Sequence, residues 1–165
     1  MKNENIKITY INGYKGSSSS KAKFLSDKYN ATHIILKDSF NIDEICKALN
    51  EIQPDIVIAS STGCFVVDNC NYNDATFIYL NPLVDLNDLV KIGADTTNLK
   101  NLHTIEKKPL VLLNKDDELL DYTKAIKKYN NTTIFKNGGH RFTNTGDLIK
   151  VIDKIKKHKV KNEAK

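Results

Sequence analysis

The stretch Asp55-Ile56-Val57-Ile58-Ala59-Ser60-Ser61-Thr62-Gly63-Cys64-Phe65-Val66-Val67 decides the fold. Ile56 to Ala59 is continuously apolar, three of its residues β-branched, instead of alternating, the pattern of a strand covered on both faces, as strands of a parallel sheet are. The chain then turns within Ser61-Thr62-Gly63 and resumes an apolar run, so a helix is expected from Thr62 to about Asn69. A buried strand that passes so abruptly into a helix is half of a βαβ unit.

Working outward, five more short runs read as strands: Ile6 to Ile11, Thr32 to Leu36, Ala75 to Leu80, Leu110 to Leu113 and Thr132 to Phe135. Helical spacing fills the intervals at Lys21 to Tyr29, Ile42 to Ile52, Asp121 to Tyr129 and Asp147 to about His158. The second of these opens on Asn41 as a cap with Glu44 three residues on, and carries the stripe Ile42, Ile45, Leu49, Ile52. The exception to the alternation is Asn81 to Lys108, polar and irregular, with one short helix expected at Leu86 to Ile92. An insertion of this size in a compact domain usually shapes a binding site. The expected architecture is α/β: about six mostly parallel strands with helices on both faces.

A length of 165 residues fits one domain, expected over 1–158 with a basic tail over 159–165. The 40% hydrophobic and 27% charged content is that of an ordinary globular chain. No apolar run approaches the ~20 residues needed to cross a bilayer, and residues 1–10 lack the apolar segment of a secretory signal. A cytosolic protein without membrane partners is therefore expected. Cys46, Cys64 and Cys70 form no C-x-x-C pair and read as reduced thiols, with no disulfide framework or metal site. The net charge of +5 is concentrated at the end, in Lys150, Lys154, Lys156, Lys157, Lys159, Lys161 and Lys165. Interleaved with Ile149, Val151, Ile152 and Ile155, these lysines form the wet face of an amphipathic helix. Nucleic-acid binding through them ranks last among the readings and predicts association that falls steeply with salt.

The chemistry belongs at the carboxyl ends of the strands, where loops and helix starts converge. Ala59-Ser60-Ser61-Thr62-Gly63 fits a nucleophile elbow, G-x-S-x-G with Ala59 in the first glycine position. The tight turn strains Ser61 and requires small residues two before and two after it. Ser61 would project its hydroxyl above the sheet while the Thr62 N–H faces a developing oxyanion. Taken alone, a serine at such a junction is commonly just a helix cap. Asn12-Gly13-Tyr14-Lys15-Gly16, then Ser17 to Ser20 opening a helix, stands where a second oxyanion donor, the Tyr14 N–H, would come. It also reads as a plain glycine turn.

A serine nucleophile needs a base, and the base needs a carboxylate to hold its tautomer. His140, in Gly138-Gly139-His140-Arg141-Phe142 after the last strand, is the candidate base. Asp117, in Asn114-Lys115-Asp116-Asp117-Glu118 after the fifth strand, is the candidate acid. Asp116, its main competitor, Glu118 and Asp121 compete for the acidic role, and all three otherwise read as solvated acids or caps of the helix that follows. Tyr14, Phe65 and Phe142 are candidates to line a small acyl pocket, or are ordinary core.

Together, Ile11-Asn12-Gly13-Tyr14-Lys15-Gly16-Ser17-Ser18, Ser60-Ser61-Thr62-Gly63, Asn81-Pro82, Asp117-Glu118-Leu119-Leu120-Asp121-Tyr122 and Gly138-Gly139-His140-Arg141-Phe142-Thr143 resemble the small YqiA-like esterases of the α/β-hydrolase superfamily. The resemblance runs from about Ile6 to about Ile155. It implies a minimal α/β-hydrolase with little or no lid, and Ser61, Asp117 and His140 as triad. It also implies Tyr14 and Thr62 as oxyanion amides and no metal or organic cofactor. The chain departs from the family pattern at Asn12, where histidine is usual, at Ala59, and in a short Leu83 to Lys108 segment. The expected activity is hydrolysis of a small carboxylic ester or thioester through an acyl-enzyme. The alternative is a catalytically inactive relative that binds a ligand or protein in the same cleft.

Overall fold

The computed structural model describes residues 6–14, 20–37, 40–97, 99, 102 and 106–163. Six strands, β1 (Ile8–Ile11), β2 (Thr32–Ile34), β3 (Ile56–Ser60), β4 (Thr76–Leu80), β5 (Leu110–Asn114) and β6 (Thr132–Phe135), form one sheet in the order β2-β1-β3-β4-β5-β6. Every pairing is parallel. Six helices separate or follow them: α1 (Ser20–Tyr29), α2 (Ile42–Ile52), α3 (Thr62–Asp68), α4 (Leu86–Lys91), α5 (Tyr122–Lys128) and α6 (Thr145–Glu163). The expected serine-rich opening of α1 at residues 17–19 lies outside the described residues.

Alternate strand residues feed two cores. Ile11, Val57, Ala59, Phe77, Tyr79, Val111 and Leu113 pack against the apolar faces of α2 to α5. Their neighbours Ile8, Tyr10, Ile56, Ile58, Ile78, Leu80 and Leu112 point the other way, onto Ala22 and Leu25 of α1 and Leu148 and Ile152 of α6. The central strands are thus covered on both faces, which is why their sequences are apolar throughout. The outer strands β2 and β6 contain exposed positions, as edge strands do.

Local chemistry sets the helix starts. The side chains of Asn41, Asp85 and Asp121 accept the N–H of Asp43, Asp88 and Thr123 at 2.9 Å each, satisfying donors the first turn leaves unpaired. On the far side of the first core, the buried Asp68 carboxylate accepts the Tyr79 and Tyr129 hydroxyls at 2.8 and 2.7 Å and pairs with Lys128 at 2.6 Å. That fully bonded cluster ties α3 to β4 and α5.

Element ends differ modestly from the sequence expectation. The clearest difference is α6, which runs on to Glu163, so residues 159–163 continue the helix that the sequence expectation ended near His158. Within this extension the Lys159 ammonium reaches Asp55 Oδ1 at 3.3 Å, beside the start of β3. Among the described residues, no helix is long and apolar enough to cross a membrane.

Candidate active site

The strand order reverses direction between β1 and β3, and ligands of open α/β sheets bind above such a point, at the carboxyl ends of the strands. Gly13 follows β1 there and Ser61 follows β3. Ser61 has φ 50° and ψ −116°, outside the regions an L-residue adopts without strain. The conformation is held from both sides of the peptide, since Ser61 N–H donates to Leu80 O at 3.0 Å and Ser61 O accepts from Leu83 N–H at 3.1 Å. Its hydroxyl makes no capping bond to α3, so the cap reading of this serine does not describe it.

Packing explains the small neighbours. A Cβ on Gly63 would stand 2.7 Å from the carbonyl oxygens of Ile11 and Asn12, so only glycine lets the start of α3 lie against the end of β1. A Cβ on Gly13 would come within 3.1 Å of Ser61 Cβ and 3.6 Å of Ser61 Oγ, which sets the β1 loop directly beside the hydroxyl. Below that loop, the buried Asn12 donates to Gly13 O at 2.5 Å and accepts the Leu36 N–H at 3.0 Å. The Asn12 amide thus braces the turn.

Across the cleft, His140 Nδ1 lies 3.0 and 3.1 Å from the two Asp117 oxygens. The Asp117 side chain is 2% exposed and that of His140 17%. Asp117 Oδ1 also accepts the N–H groups of Leu119 and Leu120 at 2.9 Å, which fix the carboxylate before it meets the ring. The neighbouring acids grip the loop instead of the imidazole. Asp116 accepts the N–H groups of Gly138 and Gly139 at 3.2 and 2.9 Å, and Glu118 accepts that of His140 at 2.9 Å. The bond from Gly139 holds the Asp116 carboxyl below its ordinary range, and the bond from His140 does the same for Glu118. Asp121 caps α5.

Two asparagines that the sequence reading assigned no role complete the scaffold. Asn81, after β4, donates to the carbonyls of Gly139 and His140 at 2.9 and 3.1 Å and accepts the Asn114 N–H at 2.8 Å. Asn114 donates to Gly139 O at 2.9 Å. The signal for them was a polar residue closing an otherwise apolar strand, and both are buried. Asn81 directly follows Leu80, whose carbonyl holds Ser61, so one strand end positions both the serine and the histidine loop. From the other side the buried Lys21 donates to Arg141 O at 2.5 Å. Among the described residues, no hydrogen bond joins the Ser61 hydroxyl to the His140 ring.

The aromatic candidates are not brought together. Phe65 belongs to the core under α3 and Phe142 to the core on the opposite face of the sheet, where its ring packs edge-on against Phe135. They cannot line one acyl pocket. Tyr14 does stand at the cleft, its hydroxyl donating to Gly93 O at 3.3 Å across the entrance side. A cavity of about 350 Å³ lies between β5, β6 and α6, bordered by Leu110, Leu112, Val151, Ile155 and His158, and none of the candidate residues touches it.

Fold and site together define a doubly wound, all-parallel α/β protein with a strained serine at its switch point and a carboxylate-bound histidine opposite. No family model and no solved structure matches the chain. It is similar to the cytoplasmic serine–tRNA ligase of Plasmodium falciparum (isolate 3D7), with 27% identity over 136 residues, covering 81% of this chain and 21% of the ligase. The chain therefore spans about a fifth of that relative's length.

Proposed function

We propose that the chain is a serine hydrolase of the minimal α/β-hydrolase type, cleaving a small carboxylic ester or thioester through an acyl-enzyme on Ser61. The observation that carries the reading is the Ser61 backbone, φ 50° and ψ −116°, with its hydroxyl withheld from the helix it precedes. A strained conformation persists only when its surroundings over-determine it, and such residues cluster at functional sites. An ordinary cap would need no strain.

The Asp117 carboxylate faces His140 Nδ1 and holds the proton there, leaving Nε2 to act as base. Nε2 takes the Ser61 proton as the oxygen attacks the acyl carbon, and the Tyr14 and Thr62 amides receive the resulting oxyanion, each worth about 3–4 kcal/mol. Collapse breaks the bond to the alcohol or thiol, which leaves with the proton from His140. Water then repeats the sequence and frees the acid. The scheme requires the Ser61 hydroxyl and His140 Nε2 to come within hydrogen-bond reach, a contact that active sites often tighten only in the substrate complex. No metal or organic cofactor enters this scheme. The similarity to the ligase, at 21% of that protein's length, is too partial to carry its activity here.

The test is hydrolysis of p-nitrophenyl acetate and an acetyl thioester by the parent and by Ser61→Ala. The parent is expected to turn over at least one of them, and Ser61→Ala to lose about 10³-fold or more in kcat while keeping its circular dichroism. Equal rates in the two proteins would remove the proposal. The competing reading, a non-catalytic binder using the same cleft, draws on the unlinked Ser61 hydroxyl and predicts no turnover by either protein.

A further inference from the structure

Two of the three thiols face each other. Cys46 sits in α2 and Cys70 two residues beyond α3, both at the edge of the first core. Cys46 Sγ accepts the N–H of Asn71, the residue after Cys70, at 3.2 Å. In the reverse direction, Cys70 Sγ donates to the carbonyl of Ile42 at 3.8 Å, and Ile42 lies one helical turn before Cys46 on the same face of α2. The two contacts cross one narrow gap from opposite sides, so the sulfurs share it. Lys107 brings a positive charge there, its ammonium 2.7 Å from Cys70 O. Cys64 takes no part, being buried in the first turn of α3 and donating to Ala59 O at 3.2 Å.

We propose that Cys46 and Cys70 are an oxidation site, closing to a reversible intramolecular disulfide between α2 and the segment after α3 when the protein meets hydrogen peroxide. The inference is independent of the reading of Ser61. Cys46 is half-buried and reaches solvent, whereas Cys70 is enclosed. Burial and the adjacent Cys46 sulfur push the Cys70 thiol above its ordinary value, which leaves Cys46 as the sulfur that meets the oxidant. Its thiolate attacks one peroxide oxygen, the O–O bond breaks, and the departing hydroxide is protonated to water. Cys46 is then a sulfenic acid. The Cys70 sulfur attacks the Cys46 sulfur, the S–O bond breaks, and the hydroxyl leaves as water with the Cys70 proton. Two thiols and one peroxide become one disulfide and two waters, and an added dithiol reverses the change by exchange.

The experiment treats the folded parent protein with hydrogen peroxide, removes the excess with catalase, alkylates in denaturant and cleaves on the amino side of aspartate. That digestion separates all three cysteines, with Cys46 in peptide 43–54 and Cys70 in peptide 68–73. The expected product is those two peptides joined, lighter than their sum by two hydrogens, in a monomeric protein. The joined species disappears with dithiothreitol and is absent from Cys46→Ser. Recovery of both as alkylated thiols would overturn the proposal, as would a sulfinic Cys46 beside an alkylated Cys70. So would a Cys46 linkage found only between molecules.

Discussion

Asp117 and Asp116 are adjacent acids with opposite tasks, and their separate contacts make them separable by mutation. Asp117 holds the imidazole through both oxygens, whereas Asp116 holds only the backbone of Gly138 and Gly139. Asp117→Asn keeps the shape but offers His140 Nδ1 an ambiguous partner, so kcat for ester hydrolysis is expected to fall by about 10⁴-fold. Asp116→Asn keeps one of the two acceptors for the Gly138 and Gly139 N–H groups and leaves the imidazole's carboxylate untouched, so its loss should stay within about tenfold. Steady-state kinetics on the two variants checks the assignment, and a reversed order would exchange their roles. The sequence points to Asp117 with Asp116 as the main competitor, and charge and position, being nearly identical, separate them weakly. What separates them is which carboxylate turns inward, a property of the turn that follows β5. Asn81 and Asn114 were illegible for a related reason: an asparagine closing an apolar strand looks like a turn residue until the loop it bonds is known.

Among the elements, the turn from β3 into α3 bears the tightest requirement. Gly63→Ala places a methyl group 2.7 Å from two backbone carbonyl oxygens at the end of β1, which cannot swing aside as a side chain could. The substitution is expected to cost about 1–3 kcal/mol. Gly146→Ala, in the first turn of α6 with nothing within 4 Å of the new Cβ, is the matched control and should be neutral or slightly stabilising. Urea denaturation of both variants decides it, and equal midpoints would mean that α3 and β1 are not packed as described. The elements themselves were largely readable, because apolar β-branched runs and the stripe of α2 are direct consequences of burial. The aromatic positions were not. Phe65 and Phe142 lie on opposite faces of the sheet, and the face each takes depends on the turns before α3 and α6, with Phe142 itself at φ 52°. A strained φ of that kind has no sequence signature outside glycine.

At the scale of the whole molecule, Lys21 links the two halves of the cleft and makes stability depend on pH in an unusual direction. Burial lowers its pKa from 10.5 to about 8, while its ammonium donates to Arg141 O beside the candidate base. Between those values the unfolded chain holds more protons than the folded one, so this residue's contribution favours the fold more as pH rises. The raised thiols and tyrosines act oppositely at the upper end, but they are shared with Lys21→Met and cancel in a difference. Parent stability relative to Lys21→Met is therefore expected to improve by about 2 kcal/mol from pH 8 to pH 10. Urea titrations of both proteins at the two pH values measure it, and a constant difference would show that the ammonium is not buried.

The account rests on an activated Ser61, and covalent capture reads that activation directly. Folded parent protein is incubated with a fluorophosphonate, and the modified residue is mapped by mass spectrometry, with His140→Asn alongside. The account predicts one phosphonyl group on Ser61 in the parent and at most slow labelling once the imidazole is gone. Folded parent protein that stays unlabelled, or that carries the label on another residue, would contradict it.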